Sequence, residues 1–105
     1  MSRYFDRQGQ PIANVITWGW LMNDRTYQRI AETTLPDGKW ISTVWIGLNH
    51  NDGDGPPLIF ESMVFPKKGE YGELDCERYA TEAEATIGHT ELVKKWSQPQ
   101  LQETQ

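Results

Sequence analysis

"KWISTVWIGL", residues 39–48, decides the fold. Its aromatic and β-branched residues make it the strongest strand in the chain. With a period of two, Trp40, Ser42, Val44, Ile46 and Leu48 point one way and Ile41, Thr43, Trp45 and Gly47 the other. Both sets hold bulky apolar groups, the pattern of a central strand covered on both faces. Trp40 and Trp45 fall on opposite faces. One suits the underside of a helix, and the other needs cover from the N-terminal segment or from a partner.

Working outward, "YQRIAETTL" (27–35) reads as the preceding strand, joined by a tight turn at Pro36, Asp37 and Gly38. "LIFESMVF" (58–65) is a third strand ended by Pro66, "KKGEYGE" (67–73) a connection, and "LDCERYA" (74–80) a fourth strand. A helix follows. Thr81 and Glu84 form a capping box, Glu82 and Glu84 occupy the first turn, and Lys94 and Lys95 the last, all in accord with the helix dipole. Ala85, Gly88, His89, Leu92 and Trp96 repeat at helical spacing as the buried stripe, and Gly88 marks a close approach of helix to sheet. At the N-terminus, residues 1–13 suggest an extended piece or hairpin around Gly9 and Pro11. "NVITWGWLMNDRT" (14–26) suggests a short helix capped by Asn14, with Val15, Trp18 and Met22 along one face. Short-turn strands followed by a helix give an α+β fold. The expected architecture is an antiparallel meander of three to four strands with the C-terminal helix on one face and a short N-terminal helix. Residues 1–97 form the expected domain and 98–105 a flexible tail.

The bulk properties narrow the function. A chain of 105 residues has the size of one domain. A single cysteine, Cys76, allows no internal disulfide and suits a reducing cytoplasm. No apolar run has the length of a membrane span, and "MSRYFDRQGQP" lacks the hydrophobic region of a signal peptide. The formal net charge of -5 argues against direct nucleic-acid binding, which needs a basic surface. It suits competition with nucleic acid for a basic partner. Glu70, Glu73, Asp75, Glu77, Glu82, Glu84 and Glu91 fall within one stretch that contains only Arg78 as a counter-charge.

"HNDGDGPPLIFE" (50–61) matches the EF-hand calcium pattern except that His50 stands in place of the first Asp. Asp52, Asp54, Gly55 and Glu61 fall at the remaining marked positions. The flanks read as strands, however, and an EF-hand loop is held by helices, so an inter-strand connection is expected and no metal. His50, His89 and Cys76 lack the spacing of a transition-metal site. His89 reads as a core histidine and Cys76 as a buried small hydrophobe. No phosphate-cradling glycine loop and no catalytic constellation appear, so no catalytic residue and no cofactor is assigned. Trp18, Trp20, Trp40, Trp45 and Trp96 are a heavy tryptophan load. "TWGW" folding back over the sheet accounts for part of it. An aromatic binding face is the functional alternative.

"STVWIGL", "GPPLIFESMVF" and "DCERY", within Arg29 to Trp96, resemble a group of small proteins encoded by tailed bacteriophages and prophages. The resemblance implies a bacterial host cytoplasm during infection and assigns no catalytic or binding residue. Together these features suggest a non-enzymatic phage accessory protein that binds a host or phage protein, one form being an inhibitor of antiphage defence. Glu70, Glu73, Asp75, Glu77 and Trp45 are the candidate partner-binding residues. The alternative is a protein that sequesters a nucleotide signal, with Trp40, Arg25, Arg29 and Arg78 as ligand-binding candidates. A virion structural or assembly component is a third reading.

Overall fold

The computed structural model describes residues 3–51 and 53–98, so Asp52 and the expected tail beyond Gln98 lie outside the described residues. In chain order the elements are β1 (Tyr4–Phe5), β2 (Pro11–Ile12), α1 (Val15–Met22), α2 (Arg25–Gln28), β3 (Arg29–Thr34), β4 (Trp40–Trp45), β5 (Phe60–Phe65), β6 (Asp75–Tyr79) and α3 (Glu82–Ser97). β1 and β2 pair as a small antiparallel hairpin, while β3 to β6 form a four-stranded antiparallel sheet in sequence order. The fold is α+β, with α3 packed on one face of that meander.

Local chemistry sets the turns and caps. Leu35 N–H donates to the Lys39 carbonyl at 2.8 Å, and the Asp37 carboxylate accepts from Lys39 N–H at 3.0 Å, closing the β3–β4 hairpin. Thr81 Oγ1 accepts from Glu84 N–H at 3.1 Å, and the Glu84 carboxylate accepts from Thr81 N–H at 3.3 Å. That is the capping box the sequence announces.

The buried face is built in rows. β4 and β5 pair Ile41 with Val64, Thr43 with Ser62, and Trp45 with Phe60, and all six side chains are fully buried, beneath α3 and, at the Trp45 end, the N-terminal segment. The middle row is polar, so the core forms two apolar clusters. Ile41 and Val64 join Leu35 and Leu92, with Trp96 alongside; Trp45 and Phe60 join Ile12, Ile59 and Ala85. Gly88 lies where α3 crosses Tyr79: a Cβ there would meet the Tyr79 ring at 2.2 Å. Gly88→Ala should therefore destabilise by about 1 kcal/mol net, overpacking of about 1–3 kcal/mol exceeding a helix-propensity gain of up to about 1 kcal/mol. Chemical denaturation measures it, and a stabilised variant would refute the close approach.

The N-terminal segment folds back, but onto the same face as α3. Trp45 Nε1 donates to the Phe5 carbonyl at 2.9 Å, Trp18 Nε1 donates to the Ile46 carbonyl at 3.0 Å, and Tyr27 meets Trp45 edge-on at 4.9 Å. Gly47 allows this closeness: its φ is 67°, and a Cβ would sit 2.3 Å from the Trp45 ring. Arg7 ties the hairpin down, donating to the Glu82 carboxylate at 2.5 Å and to the Tyr27 carbonyl at 3.0 Å.

Three expectations are corrected. β4 is fully buried on one face, not two: Trp40, Ser42 and Val44 are half-buried on the face away from α3, where only the short α2 comes near through Arg25 and Gln28. In α1, Trp18, Leu21 and Met22 pack inward while Val15 is exposed and Trp20 is 77% exposed, because the helix docks by its last turn. Cys76 is half-buried on the open face rather than in the core, since β6 is an edge strand and Cys76 pairs with Met63 of the uncovered row.

Candidate functional site

The acidic stretch divides by role. Asp75 lies on the helix side of β6, half-buried, where it accepts from Lys95 Nζ at 2.8 Å and Trp96 Nε1 at 3.0 Å. Lys95 donating to it, with Trp96 and the Cys76 N–H adding to the effect, holds the Asp75 carboxyl below its ordinary range. Glu82 is taken by Arg7 and Glu84 by the cap. Glu70, Glu73, Glu77 and Glu91 are exposed, and none enters a salt bridge among the described residues. Asp75 is thus held in a structural ion pair between β6 and α3. Trp45 is fully buried with its N–H bonded internally, so it offers no contact surface, contrary to the sequence expectation.

Beside the free acids runs a groove of about 360 Å³ between the β6 edge and α3, lined by Glu77, Tyr79, Gly88, Glu91, Leu92 and Lys95. Gly88 and the Tyr79 ring bring its walls close, and Leu92 supplies apolar floor. Sequence reading placed Gly88 on the buried stripe; Tyr79 and Glu91 as neighbours of it depend on how α3 crosses the sheet, which no local signal encodes.

On the open face, three of the four ligand candidates meet. Trp40, Arg25 and Arg29 line a cleft of about 140 Å³ together with Lys68 and Glu32. Trp40 stacks on Phe65 at 5.6 Å, and Lys68 Nζ lies 5.4 Å from the Trp40 ring centroid. The Glu32 carboxylate lines the cleft, where it accepts from Trp40 Nε1 at 3.3 Å and Lys68 Nζ at 3.4 Å and forms an ion pair with Arg29 at 2.9 Å. Those donors, Trp40 foremost, lower the Glu32 pKa. Arg78 sits apart, bonded to Glu61 at 3.0 Å. Neither Lys68 nor Glu32 was a sequence candidate, because both belong to the site through sheet pairing and loop path.

A hydrogen-bonded chain crosses the core. Tyr79 hydroxyl donates to Ser62 Oγ at 3.1 Å; Ser62 Oγ lies 2.5 Å from Thr43 Oγ1; Thr43 Oγ1 lies 2.7 Å from His89 Nδ1; and His89 Nε2 lies 2.9 Å from Thr33 Oγ1. If Ser62 donates on to Thr43 and Thr43 to Nδ1, every group is satisfied with the proton on Nε2 for Thr33. Ser62 and Thr43 are sealed from solvent, so hydroxyl and imidazole hold the core together rather than face a substrate. Burial pushes the Cys76 thiol pKa up, with Glu61 adding to it, which disfavours the reactive thiolate.

The 50–61 connection is organised by its asparagines. Asn49 Oδ1 accepts from Asn51 N–H at 2.8 Å and Leu58 N–H at 3.1 Å; Asn51 Oδ1 accepts from Gly53 N–H at 2.9 Å, and its amide donates to the Pro56 carbonyl at 3.0 Å. Glu61, the twelfth position of the calcium pattern, is instead on β5, bonded to Arg78. Among the described residues no three metal-ligating side chains cluster. Calcium at millimolar concentration should leave the melting temperature unchanged, since ligand binding to the native state would raise it. A rise would restore the calcium reading.

Among the described residues no helix is long and apolar enough to cross a membrane. No protein-family model matches the chain, and no curated protein or solved structure matches it either. The class the fold defines is an antiparallel α+β meander with two exposed candidate surfaces, the acidic β6–α3 side and the Trp40 face.

Proposed function

We propose that the chain works by recognition rather than catalysis, as a phage accessory protein that binds a basic surface of a host or phage protein in the bacterial cytoplasm. The observation that carries this reading is the surplus of acids on one side. Glu70, Glu73, Glu77 and Glu91 are exposed and in no salt bridge among the described residues, on a chain of net charge -5. A surface with this excess of unpaired acids favours a basic partner over nucleic acid. A nucleic-acid-binding protein of the host's defence has the matching charge, and occupying its basic channel would inhibit it.

The test uses the tagged full chain for affinity capture from infected cells, followed by mass spectrometry. One basic protein should be retained at low salt, released as salt rises, and lost with Glu73→Lys, Glu77→Lys and Glu91→Lys combined. Asp75 is left intact because it holds α3. Recovery of no partner at low salt, or retention indifferent to the charge reversal, would overturn the reading.

The convergence of Trp40, Arg25 and Arg29 favours a second reading, a small anionic ligand with an aromatic ring, such as a nucleotide. Its binding would require the Glu32 carboxylate to leave the cleft. A nucleotide panel should then raise the melting temperature by mass action, and more strongly in Glu32→Gln. A flat panel at millimolar concentration removes this second reading.

A further inference from the structure

We infer that β6 is an attachment edge: an extended basic segment of the partner adds to the sheet as a further strand and seats an apolar side chain in the groove beside α3. This rests on the recognition reading above and gives it a binding mode.

The two edges of the sheet differ. β3 is broken by an irregular register between Arg29 and Ala31, a feature that discourages further pairing. β6 keeps a regular register with β5 from Asp75 to Tyr79, and no strand lies beyond it among the described residues. In an antiparallel ladder alternate residues turn their N–H and C=O groups away from the neighbour. Cys76 N–H is bonded to the Asp75 carboxylate at 2.9 Å instead of a strand, which marks Cys76 and Arg78 as the outward-facing residues. Strand addition would engage those groups, the mode by which extended peptides dock on sheet edges.

Side chains of an added strand alternate between the sheet's faces. Those on the helix side enter the groove, whose floor is Tyr79, Gly88 and Leu92 and whose rim carries Glu77 and Glu91. Lys95, also on the rim, is bonded to Asp75. The groove therefore suits an apolar residue with a lysine or arginine two positions away on either side. A second copy of this chain is a poor occupant. β6 against β6 would bring Glu73, Asp75 and Glu77 into the vicinity of the same acids, and like charges facing across strands are destabilising. The free acids thus block self-association at this edge while admitting a basic strand.

The test uses isotope-labelled full chain and the capped synthetic peptide TKTVTKT, which presents lysine, valine and lysine on one face when extended. Amide NMR should place its shifts on β6 and at Gly88, Glu91 and Leu92, with slowed exchange at Cys76 and Arg78. Two N-methylated versions, each blocking one set of alternate amides, should differ, since only one set faces β6; the blocked version loses about tenfold or more in affinity. Glu77→Gln with Glu91→Gln should weaken the parent peptide while keeping the fold, and the glutamate counterpart TETVTET should not bind. Equal binding of both methylated versions, or shifts scattered over Glu70 and Glu73, would overturn strand addition and leave charge recognition standing. No binding of TKTVTKT would also overturn strand addition. The capture experiment judges the broader reading separately.

Discussion

Trp45→Ala should cost about 3–5 kcal/mol, as large aromatic-to-alanine changes in a core do. Typical domains have only about 5–15 kcal/mol in total. Trp45 is fully buried and bridges three parts of the chain: it stands opposite Phe60 on β5, meets Tyr27 edge-on, and donates its N–H to the Phe5 carbonyl. Removing the indole opens a cavity beneath the N-terminal segment and orphans that carbonyl at once. For a domain of this size the melting temperature should fall by on the order of 15–30 °C. Trp45→Phe keeps most of the volume and loses the donor, so its cost should be nearer about 1–3 kcal/mol. Equal stability of Trp45→Ala and the parent would mean that the N-terminal segment does not pack as described.

Stability should also decline as pH falls through the slightly acidic range, and His89 should be the cause. Desolvation lowers its pKa from the ordinary 6.5, and its bonded partners are Thr33 and Thr43, with no carboxylate among them. Above the ordinary value both folded and unfolded chains hold the ring neutral. Below it the unfolded chain takes up a proton that the folded chain resists, so stability drops as pH falls toward the folded-state pKa. A charged ring would need both nitrogens to donate, which reverses the hydrogen bonds through Thr43 and Ser62 to Tyr79. His89→Leu should lose about 1–3 kcal/mol at neutral pH through unpaired hydroxyls. Between about pH 7 and pH 5 it should lack the parent's decline. The Asp75 carboxyl, with its pKa lowered from 3.8, contributes a separate loss at lower pH. An identical pH profile in His89→Leu and the parent would refute the assignment.

Elements governed by neighbouring residues were legible in the sequence. The Pro36-Asp37-Gly38 turn, the Thr81–Glu84 capping box and the alternation of β4 each follow from groups a few positions apart. Which face of β4 would be covered was not, because it depends on the N-terminal segment crossing to the Trp45 end of the helix side. The same long-range dependence sets the surroundings of two site residues. Asp75 pairs with Lys95 and Trp96 only once α3 has folded back, and Trp45 is claimed by Phe5 and Tyr27 from the start of the chain. The convergence of Trp40, Arg25 and Arg29 was anticipated as chemistry, while the Glu32 carboxylate between them required the strand register.

The polar middle row of the core has a consequence for the order of assembly. Each sheet strand pairs with the one before it in sequence, so the meander can grow by short-range steps, a topology associated with rapid folding. Without α3, Thr43 and Ser62 lack the imidazole, and this polar row divides the exposed apolar face into two patches. His89 of α3 bonds Thr43 between the two apolar clusters, so docking of the helix joins them. A chain truncated before α3 should thus keep the sheet pairing but lack a closed core, and intrinsic fluorescence with denaturation of that truncation measures it.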